Sequence, residues 1–367
     1  MKKILVIGQV PPPIGGQSVM IKTMIDAHYT GISIRHIPMR FSREMGELGR
    51  FQLRKIVHLF EIILRVYWKR IVERPEVLYF PPSGPGRAVL RDMAILLSTR
   101  FLFKKTVFHF HASGLGENYG ALGAVGKWLF RACFFEPDLC IHNSELNLQD
   151  GRALRSRKDR IIPYGINDLA SSEAASGLEP GKEDGLRVLF IGMLDSTKGE
   201  LDLMEAVKRN KDDGVRVGVR IAGQFKSREY RDEFFEKRRR LGLEGEVEYL
   251  GVIQGGEKVR AFRWANVFCF PTFFSSESFG LVLIEAMQFS LPIVATRWRG
   301  VPDLVEDGSN GFLVDIRKPE MIADRLKRLA GDPALRERMG RDGRMKYDRD
   351  HRLQTFIERM EEALSEV

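Results

Sequence analysis

The segment from Pro271 to Thr296, PTFFSSESFGLVLIEAMQFSLPIVAT, constrains the fold of this chain more than any other. The run VFCF before it is rich in β-forming residues and is closed by Pro271, which indicates a strand. FGLVLIEAM has helical length, and LPIVAT predicts a second strand. The loop offers three candidate helix caps, Ser275, Ser276 and Ser278. The segment therefore predicts a strand, loop, helix and strand of an α/β fold.

Two glutamates mark this unit. Glu277 stands in the loop and Glu285 lies eight residues later, which is about 12 Å along the axis if the chain between them is helical. That separation excludes a carboxylate pair sharing one proton, but it suits two ends of one elongated ligand. The N–H groups of Phe279, Gly280 and Leu281 would lie at the helix N-terminus, which favours a phosphate. Taken alone, the glutamates also fit an ordinary first-turn carboxylate and a solvated helix residue.

The longer stretch AFRWANVFCFPTFFSSESFGLVLIEAMQFSLPIVATRWRGVPDLVEDGSNGFLVD resembles the donor-site signature of retaining glycosyltransferase family 4. That family has the GT-B fold, in which two Rossmann-like, doubly wound α/β domains face each other across a deep cleft that takes a nucleotide sugar. The resemblance implies that Glu285 holds ribose hydroxyls and Glu277 sugar hydroxyls. The other donor-binding positions that it implies in this stretch are Ser278, Phe279, Gly280 and Leu281.

The stretch LRVLFIGMLDSTKGELDLMEAV predicts a further strand, loop and helix. Lys198 at the helix start resembles the family lysine that neutralises the donor diphosphate, and a compact ammonium suits that role. The family usually has an arginine at the position of Met193, where it shares the role. Because methionine carries no charge, its presence removes a charge-assisted contact with the diphosphate.

The N-terminal stretch KKILVIGQVPPPIGGQSVMIKTMIDA also predicts a strand, loop and helix, without the G-x-G-x-x-G fingerprint. Gly15 and Gly16 resemble the glycine pair that the family places against the donor phosphates and the acceptor; taken alone, they also fit a simple turn. His111 ends the predicted strand KKTVFHFH and resembles the family histidine that reaches the donor sugar. His109 would share its face and lie deeper. A strand histidine is otherwise more often a hydrogen-bonded structural residue.

A chain of 367 residues is long for one core and suits two domains. The resemblance implies an acceptor-binding domain over residues 1–165 and a nucleotide-sugar-binding domain over residues 166–347. The helix in residues 348–367 is expected to cross back to the first domain. Family members often show Pro-Asn-Gly where this chain has Pro-Tyr-Gly, with Tyr164 in the middle. Residues 168–184 lack a periodic pattern and predict a connector.

The net charge of +9 is unevenly distributed. Residues 1–165 contain 25 Lys and Arg against 13 Asp and Glu, whereas the remainder contains 33 against 36. The basic half favours an anionic partner, such as a membrane surface or a phosphate-bearing acceptor. Nucleic acid is not expected, because zinc-finger spacing, an RNP-like motif and a basic tail are all absent from the sequence.

The segment 50–75 predicts a long helix with one polar stripe. The stripe consists of Arg54, His58, Glu61, Arg65, Lys69 and Glu73. Two interpretations stay open. Either the helix packs against the sheet with Tyr67 and Trp68 in the core, or its apolar side, flanked by basic residues, dips into an anionic bilayer surface.

The cysteines Cys133, Cys140 and Cys269 lie in apolar segments, without C-x-x-C spacing or nearby histidine ligands. They predict buried, reduced thiols rather than a zinc site. The sequence has no uncharged apolar run of membrane-spanning length and MKKILVIG lacks a signal-peptide cleavage site. We therefore expect a cytoplasmic protein, peripheral on the inner face of the plasma membrane.

The family resemblance implies a metal-independent, retaining, hexosyltransferase-like enzyme without a cofactor. Its donor would be a nucleoside diphosphate sugar, with a UDP-sugar favoured. The acceptor would be a saccharide or a lipid-linked saccharide, during assembly of bacterial surface polysaccharide or lipopolysaccharide. Met193 supports an alternative, a catalytically impaired GT-B protein that binds a sugar nucleotide or a partner without turnover.

Overall fold

The structure, a computed structural model, describes residues 1–12, 15–41, 53–84, 86, 88–171, 185–275 and 277–367. The chain divides over these described residues into two compact units. Unit 1 comprises Met1–Gly165 and Leu353–Val367, and unit 2 comprises Ile166–Arg352. The candidate cap Ser276, residues 50–52 of the predicted long helix and residues 172–184 of the predicted connector lie outside the described residues.

Unit 1 alternates strands and helices. Its elements are β1 (Lys2–Gly8), α1 (Gly16–Asp26), β2 (Ile32–Pro38), α2 (Leu53–Val72), β3 (Val77–Phe80), α3 (Ala88–Thr99), a 3-10 helix (Arg100–Leu102), β4 (Lys105–Phe110), α4 (Leu115–Ala121), α5 (Ala124–Phe134), β5 (Leu139–His142), α6 (Leu148–Ala153), β6 (Asp159–Ile161) and, from the end of the chain, α14 (Leu353–Ser365). Strands β1, β3 and β5 contain continuous runs of buried residues, which is typical of a parallel sheet covered on both faces.

The described strands of unit 1 form one parallel sheet in the order β2-β1-β3-β4-β5-β6. The strand order changes direction between β1 and β3, so the switch point of this sheet lies beside the loop after β1. Gly15 is the N-cap of α1, and His111 directly follows β4, so both lie at the carboxyl edge of the sheet. Ligands of doubly wound sheets bind at that edge.

The C-terminal helix α14 is attached to unit 1 near the amino ends of its strands. The Lys2 ammonium donates to the Ser365 carbonyl at 2.8 Å. The Glu361 carboxylate accepts hydrogen bonds from the backbone N–H groups of Thr30 and Gly31 at 2.6 and 3.1 Å. The predicted segment 348–367 is divided in the structure: the preceding helix continues to Asp350, and only the residues from Leu353 belong to unit 1.

Unit 2 repeats the alternation of strands and helices. Its elements are β7 (Leu186–Ile191), α7 (Glu200–Asp212), β8 (Val217–Ala222), α8 (Arg228–Arg240), β9 (Val247–Gly251), α9 (Gly255–Trp264), β10 (Val267–Phe270), α10 (Leu281–Gln288), β11 (Ile293–Thr296), α11 (Val301–Leu304), β12 (Gly311–Val314), α12 (Pro319–Gly331) and α13 (Pro333–Asp350). A separate cluster of buried residues from its strands and helices forms the core of this unit.

The described strands of unit 2 also form a parallel sheet, in the order β12-β11-β10-β7-β8-β9. This is the order of the dinucleotide-binding fold, and its direction reverses between β7 and β10. Val188 and Leu189 of β7 pair with Val267 and Phe268 of β10. The loops that leave the carboxyl ends of these two strands therefore begin side by side, and they carry most of the predicted donor-binding residues.

The structure differs from one of the two open interpretations of α2 and from the expected start of α10 near Phe279. Tyr67 and Trp68 do not lie in the core, because their exposed fractions are 38% and 67%, and α2 is anchored instead through buried residues such as Ile62 and Val66. The helix predicted to start at Phe279 starts at Leu281, with Gly280 rather than a serine as its N-cap.

A helix that spans a membrane needs both sufficient length and high hydropathy. Within the part of the chain that the structure describes, no helix reaches both.

Candidate functional site

The loops after β7 and β10 are joined by the backbone. The Phe273 N–H donates to the Thr197 carbonyl at 2.7 Å. Gly199, the N-cap of α7, has φ +79, and a Cβ atom there would lie 2.1 Å from the Pro271 carbonyl oxygen. No other residue fits that approach without moving one of the loops. Glycine therefore lets the loop of Lys198 lie directly on the end of β10.

This approach brings Lys198 and Glu277 together. The Lys198 Nζ donates to the Glu277 Oε2 at 2.7 Å, and the two side chains are only 11% and 12% exposed. The Lys198 ammonium also lies 4.5 Å from the centre of the Phe274 ring, where a cation is stabilised by the ring face. The sequence predicted separate contacts for the two residues, one with a phosphate and one with a sugar. In the structure they form a largely buried ion pair.

Asp195 fixes the loop that carries Lys198. Its Oδ1 accepts from the Thr197 N–H at 2.8 Å, and its Oδ2 pairs with the Lys226 Nζ at 2.6 Å. Burial alone would raise the pKa of Asp195, but the hydrogen bonds from Lys226 and Thr197 outweigh it, so the pKa is lowered. The sequence interpretation missed Lys226. Met193 lies half-buried in the same loop and contributes no charge.

Helix α10 begins where the loop after β10 ends. Its N-cap Gly280 has φ +83, a conformation that glycine adopts at little cost. Leu281 opens the first turn, in which the Leu283 N–H donates to the Gly280 carbonyl at 2.9 Å. The N–H groups before it have no acceptor within the helix itself. Ser278 and Phe279 are 7% and 2% exposed, so the Phe279 side chain belongs to the core. A contact of these residues with a donor stays a prediction.

The loop after β10 is also fastened to the end of β11. The Trp298 Nε1–H donates to the Phe274 carbonyl at 2.7 Å. The buried Thr296 hydroxyl donates to the Thr272 carbonyl. The loop that presents Glu277 is thus held from β7 on one side and from β11 on the other, so its carboxylate has a set position before any ligand binds.

Glu285 has a cationic partner as well. Its Oε1 accepts from the Lys258 Nζ at 2.6 Å, with side-chain exposures of 15% for Glu285 and 25% for Lys258. Lys258 lies in the first half of α9, a helix that the sequence interpretation placed near a base pocket without singling out this residue. Both glutamates of the central segment are therefore hydrogen-bond acceptors that a lysine already orients.

Gly15 and Gly16 lie at the start of α1. Gly15 has extended backbone angles, and a Cβ atom there would meet no other atom within 4 Å. Its backbone N–H donates to the Ser18 hydroxyl at 3.0 Å. Neither left-handed backbone nor crowding within unit 1 requires a glycine at position 15. The predicted approach of this backbone to a ligand is not tested by these contacts.

His111 belongs to a buried group of rings in unit 1. Its Nδ1 lies 2.6 Å from the Tyr164 hydroxyl, its ring centre lies 4.1 Å from that of His109, and His109 Nδ1 is hydrogen-bonded with the Tyr79 hydroxyl. Burial lowers the pKa of His111 to about 3 and lowers that of His109 well below its usual value. Both imidazoles are therefore neutral at physiological pH. Tyr164, the departure from the family pattern, supplies the partner of His111.

One expectation about the cysteines is wrong. Cys140 has a histidine nearby, because His142 follows on the same face of β5 and Asp159 stands opposite on β6. One ligand atom from each of the three residues lies within 4.8 Å of the others. His142 Nε2 and Asp159 Oδ1 are already paired at 2.6 Å, and burial raises the pKa of the Cys140 thiol. The cluster is thus a hydrogen-bonded pair of His142 and Asp159 beside a thiol.

Residues 177–346 match the model of glycosyl transferases group 1. This region is similar in sequence to the group 1 glycosyltransferases. The match covers the loop of Met193 and Lys198 and the whole segment from Glu277 to Glu285. The predicted resemblance of these residues to a glycosyltransferase family is therefore confirmed at the level of the group.

Several curated glycosyltransferases are similar in sequence to part of this chain. A D-inositol 3-phosphate glycosyltransferase of Corynebacterium diphtheriae is 36% identical over 155 residues, which is 41% of this chain and 36% of that protein. The phosphatidyl-myo-inositol mannosyltransferase of Mycobacterium leprae is 31% identical over 191 residues, 51% of this chain and 49% of that protein. The matches thus span well under two thirds of the relatives' own length.

Solved structures resemble the chain over its full length. HepE of Anabaena in complex with UDP matches with a TM-score of 0.74 at 16% identity, and the match covers 100% of both chains. Sucrose-phosphate synthase of Thermosynechococcus elongatus matches with a TM-score of 0.74 at 18% identity, over 100% of this chain and 99% of that one. At such identities the likeness concerns the fold alone, and it confirms the predicted GT-B fold.

Proposed function

We propose that this protein is a glycosyltransferase that moves a sugar from a nucleoside diphosphate sugar to an acceptor, with retention of the anomeric configuration. The observation that carries the proposal is the ion pair of Lys198 and Glu277 at the carboxyl ends of β7 and β10. This is the switch point of the sheet, the position at which doubly wound sheets bind nucleotides.

In the proposed complex, the Lys198 ammonium neutralises the donor diphosphate and the first turn of α10 adds backbone N–H donors. Glu277 accepts hydrogen bonds from sugar hydroxyls, and Glu285 accepts them from the ribose. Each lysine already orients its glutamate, so little reorganisation is needed on binding. His111 and the backbone at Gly15 and Gly16 are proposed as the contacts that unit 1 offers.

The proposed reaction needs no protein nucleophile. The bond between the anomeric carbon and the diphosphate oxygen breaks, and its electron pair remains on the diphosphate. The acceptor hydroxyl oxygen bonds to the same face of the anomeric carbon, and its proton passes to the departing phosphate oxygen. Negative charge develops on the diphosphate, beside the cation and the helix N-terminus. Because Lys198 supplies that positive charge, we propose a metal-independent reaction without a cofactor.

The donor and the setting are the less constrained parts of this proposal. The HepE structures contain UDP and UDP-glucose, which supports a UDP-sugar. The relatives' names contain inositol phosphate and phosphatidylinositol, and residues 1–165 are basic. Both observations support a phosphate-bearing or lipid-linked saccharide acceptor. We place the reaction in bacterial surface polysaccharide or lipopolysaccharide assembly.

Donor hydrolysis by the purified protein is the direct test. A thermal-shift panel of UDP, GDP, ADP and their common sugars selects the donor, since a ligand at a hundred times its Kd adds about 2.7 kcal/mol of stability. The selected donor is then incubated with wild type, Glu277→Gln and the matched control Glu233→Gln, which is exposed on α8. We expect release of sugar by wild type and the control, with the configuration retained in the NMR spectrum, and undiminished turnover with EDTA.

A donor-binding protein without turnover is the second candidate, and Met193 is the observation in its favour. The loop that carries Lys198 has no guanidinium at that position. If wild type and Glu277→Gln are equally inert with acceptor analogues while the nucleotide still stabilises the protein, this second function is correct. Inverted product or dependence on a divalent ion would contradict the proposed mechanism instead.

A further inference from the structure

Helix α2 presents a row of large apolar side chains to solvent. Val57, Phe60, Leu64, Trp68 and Ile71 are between 61% and 70% exposed. They recur every three or four residues, so they lie on one face of the helix. The opposite face is anchored in unit 1 by other residues. The exposed row is therefore a surface of a folded helix rather than a consequence of loose packing.

Two neighbouring helices extend this surface. Helix α2 packs beside α3, and α3 packs beside α5. Leu90 of α3 and Phe101 of the 3-10 helix are 64% and 69% exposed, and Val125 and Trp128 of α5 are 72% and 68% exposed. Each of the three helices connects one strand to another that lies closer to β6 in the sheet. Because such connections are right-handed, α2, α3 and α5 lie on the same face of the sheet.

Basic residues flank the exposed row on both sides. The segment from Leu53 to Arg74 contains six Lys or Arg against two Glu. At 100° per residue, Arg54 and Arg65 project along one edge of the row and Arg70 toward the other. The exposed Arg74 follows the end of the helix. Long basic side chains of this kind place their charge beside an apolar surface and their methylene groups on it.

We propose that α2, together with the exposed residues of α3, the 3-10 helix and α5, is the surface by which unit 1 lies on an anionic lipid bilayer. Lipid is the occupant that matches both features: hydrocarbon accepts the apolar row, and anionic headgroups accept the flanking cations. Trp68 and Trp128 suit this position, because tryptophan is favoured at the boundary of water and hydrocarbon. A 20-residue helix lying flat covers about 30 Å of the surface.

Liposome flotation tests this surface. Wild type is mixed with vesicles of phosphatidylcholine alone, or of equal parts of phosphatidylcholine and phosphatidylglycerol. We expect flotation with the mixed vesicles and much less with the neutral ones. Leu64→Ser with Trp68→Ser should weaken partitioning by about tenfold or more for each side chain, and Arg54→Glu by about fivefold or more.

Matched controls lie in unit 2. Val252 is 58% exposed and Met345 61% exposed, so Val252→Ser with Met345→Ser removes a similar apolar area elsewhere. Arg239→Glu reverses an exposed charge on α8. These variants should float like wild type. Thermal unfolding of every variant verifies the fold, and exposed positions should leave it unchanged. Binding should also shift the emission of Trp68 to shorter wavelength, and Trp68→Phe should remove that part of the shift.

Any of three results would overturn the proposal. Wild type could fail to float with the mixed vesicles, or float equally well with neutral and mixed vesicles. The Leu64→Ser, Trp68→Ser variant could float as well as wild type. If wild type does not bind vesicles but forms a dimer, and the Leu64→Ser, Trp68→Ser variant is monomeric, the surface would be assigned to a second copy of the chain. The result does not depend on the proposed reaction, because Glu277→Gln should float as wild type does.

Discussion

The ion pair of Lys198 and Glu277 should be strongly coupled energetically. Each side chain is close to 90% buried, with exposures of 11% and 12%. Glu277→Gln leaves a buried ammonium without its counter-charge, and Lys198→Met leaves a buried carboxylate. Breaking a buried pair from one side costs about 3 kcal/mol at the lower end of the usual range. Removing both charges leaves neither of them unpaired.

The double variant should therefore lose less stability than either single variant, rather than the roughly 6 kcal/mol that two independent losses would give, so the coupling energy should exceed about 3 kcal/mol. For a unit of this size, each single variant should lower Tm by about 6–12 °C. The free energy of unfolding is measured by urea denaturation and followed by tryptophan fluorescence. Trp264 and Trp298 lie in unit 2, so the unit 2 transition must be fitted separately.

A surface ion pair of unit 2 provides the control. Lys327 and Asp213 lie 2.8 Å apart, but their side chains are 52% and 55% exposed. Lys327→Met should change the free energy of unfolding by less than about 1 kcal/mol. Our reasoning would be refuted if the double variant of Lys198 and Glu277 lost the sum of the single losses, because the two charges would then act independently.

Three further outcomes follow from the described contacts. Gly199→Ala should destabilise unit 2 by more than about 1 kcal/mol and weaken nucleotide binding, because the added Cβ meets the Pro271 carbonyl. Calorimetry measures both the unfolding and the nucleotide binding of this variant. Burial raises the pKa of Glu200 from 4.5 to about 7. The folded state therefore loses stability as pH rises from 4.5 to 7, because ionised Glu200 is unfavourable in its buried position. In urea denaturation, Glu200→Gln should stabilise the protein more at pH 8 than at pH 5. Burial lowers the pKa of His111 from 6.5 to about 3. Between these pH values His111 is protonated in the unfolded chain but neutral in the folded one. Acidification below pH 6.5 should therefore lower the free energy of unfolding of unit 1 by up to about 1.4 kcal/mol per pH unit.

Each of these outcomes has its own check. Gly214 has a similar φ of +76 with no atom near its Cβ position, so Gly214→Ala should cost only the backbone strain. A loss equal to that of Gly199→Ala would contradict the role of the Pro271 contact. His111→Gln should make the free energy of unfolding of unit 1 depend less on pH below pH 6.5. Part of the dependence should remain, because His109 is also buried and neutral. An unchanged profile, or a Glu200→Gln effect independent of pH, would contradict the assigned protonation.

The local units of the fold were predictable from sequence. Continuous apolar strands, glycine at helix starts and helical periodicity are properties of neighbouring residues, so the segment from Val267 to Thr296 predicted its strand, loop, helix and strand. The group 1 signature lies in the same continuous stretches. Predicted helix starts were less accurate, because several residues before Leu281 could have served as a cap.

Tertiary structure decided which predicted residues meet. Lys198 and Glu277 are 79 residues apart in sequence, and Tyr164 and His111 are 53 apart. No local pattern encodes such pairs, because they arise from the parallel order of strands and from loops that emerge at one edge of a sheet. For the same reason the partner of Glu285 was not anticipated.

The sequence by itself determined that the segment 50–75 contains a long helix that is apolar around most of its circumference, since periodicity depends only on residue spacing. It did not determine which apolar side is covered. Only the packing of the helix against its neighbours in unit 1 decided that Ile62 and Val66 are buried whereas Leu64 and Trp68 remain exposed. Burial depends on what lies opposite a side chain, and that is a property of the whole fold.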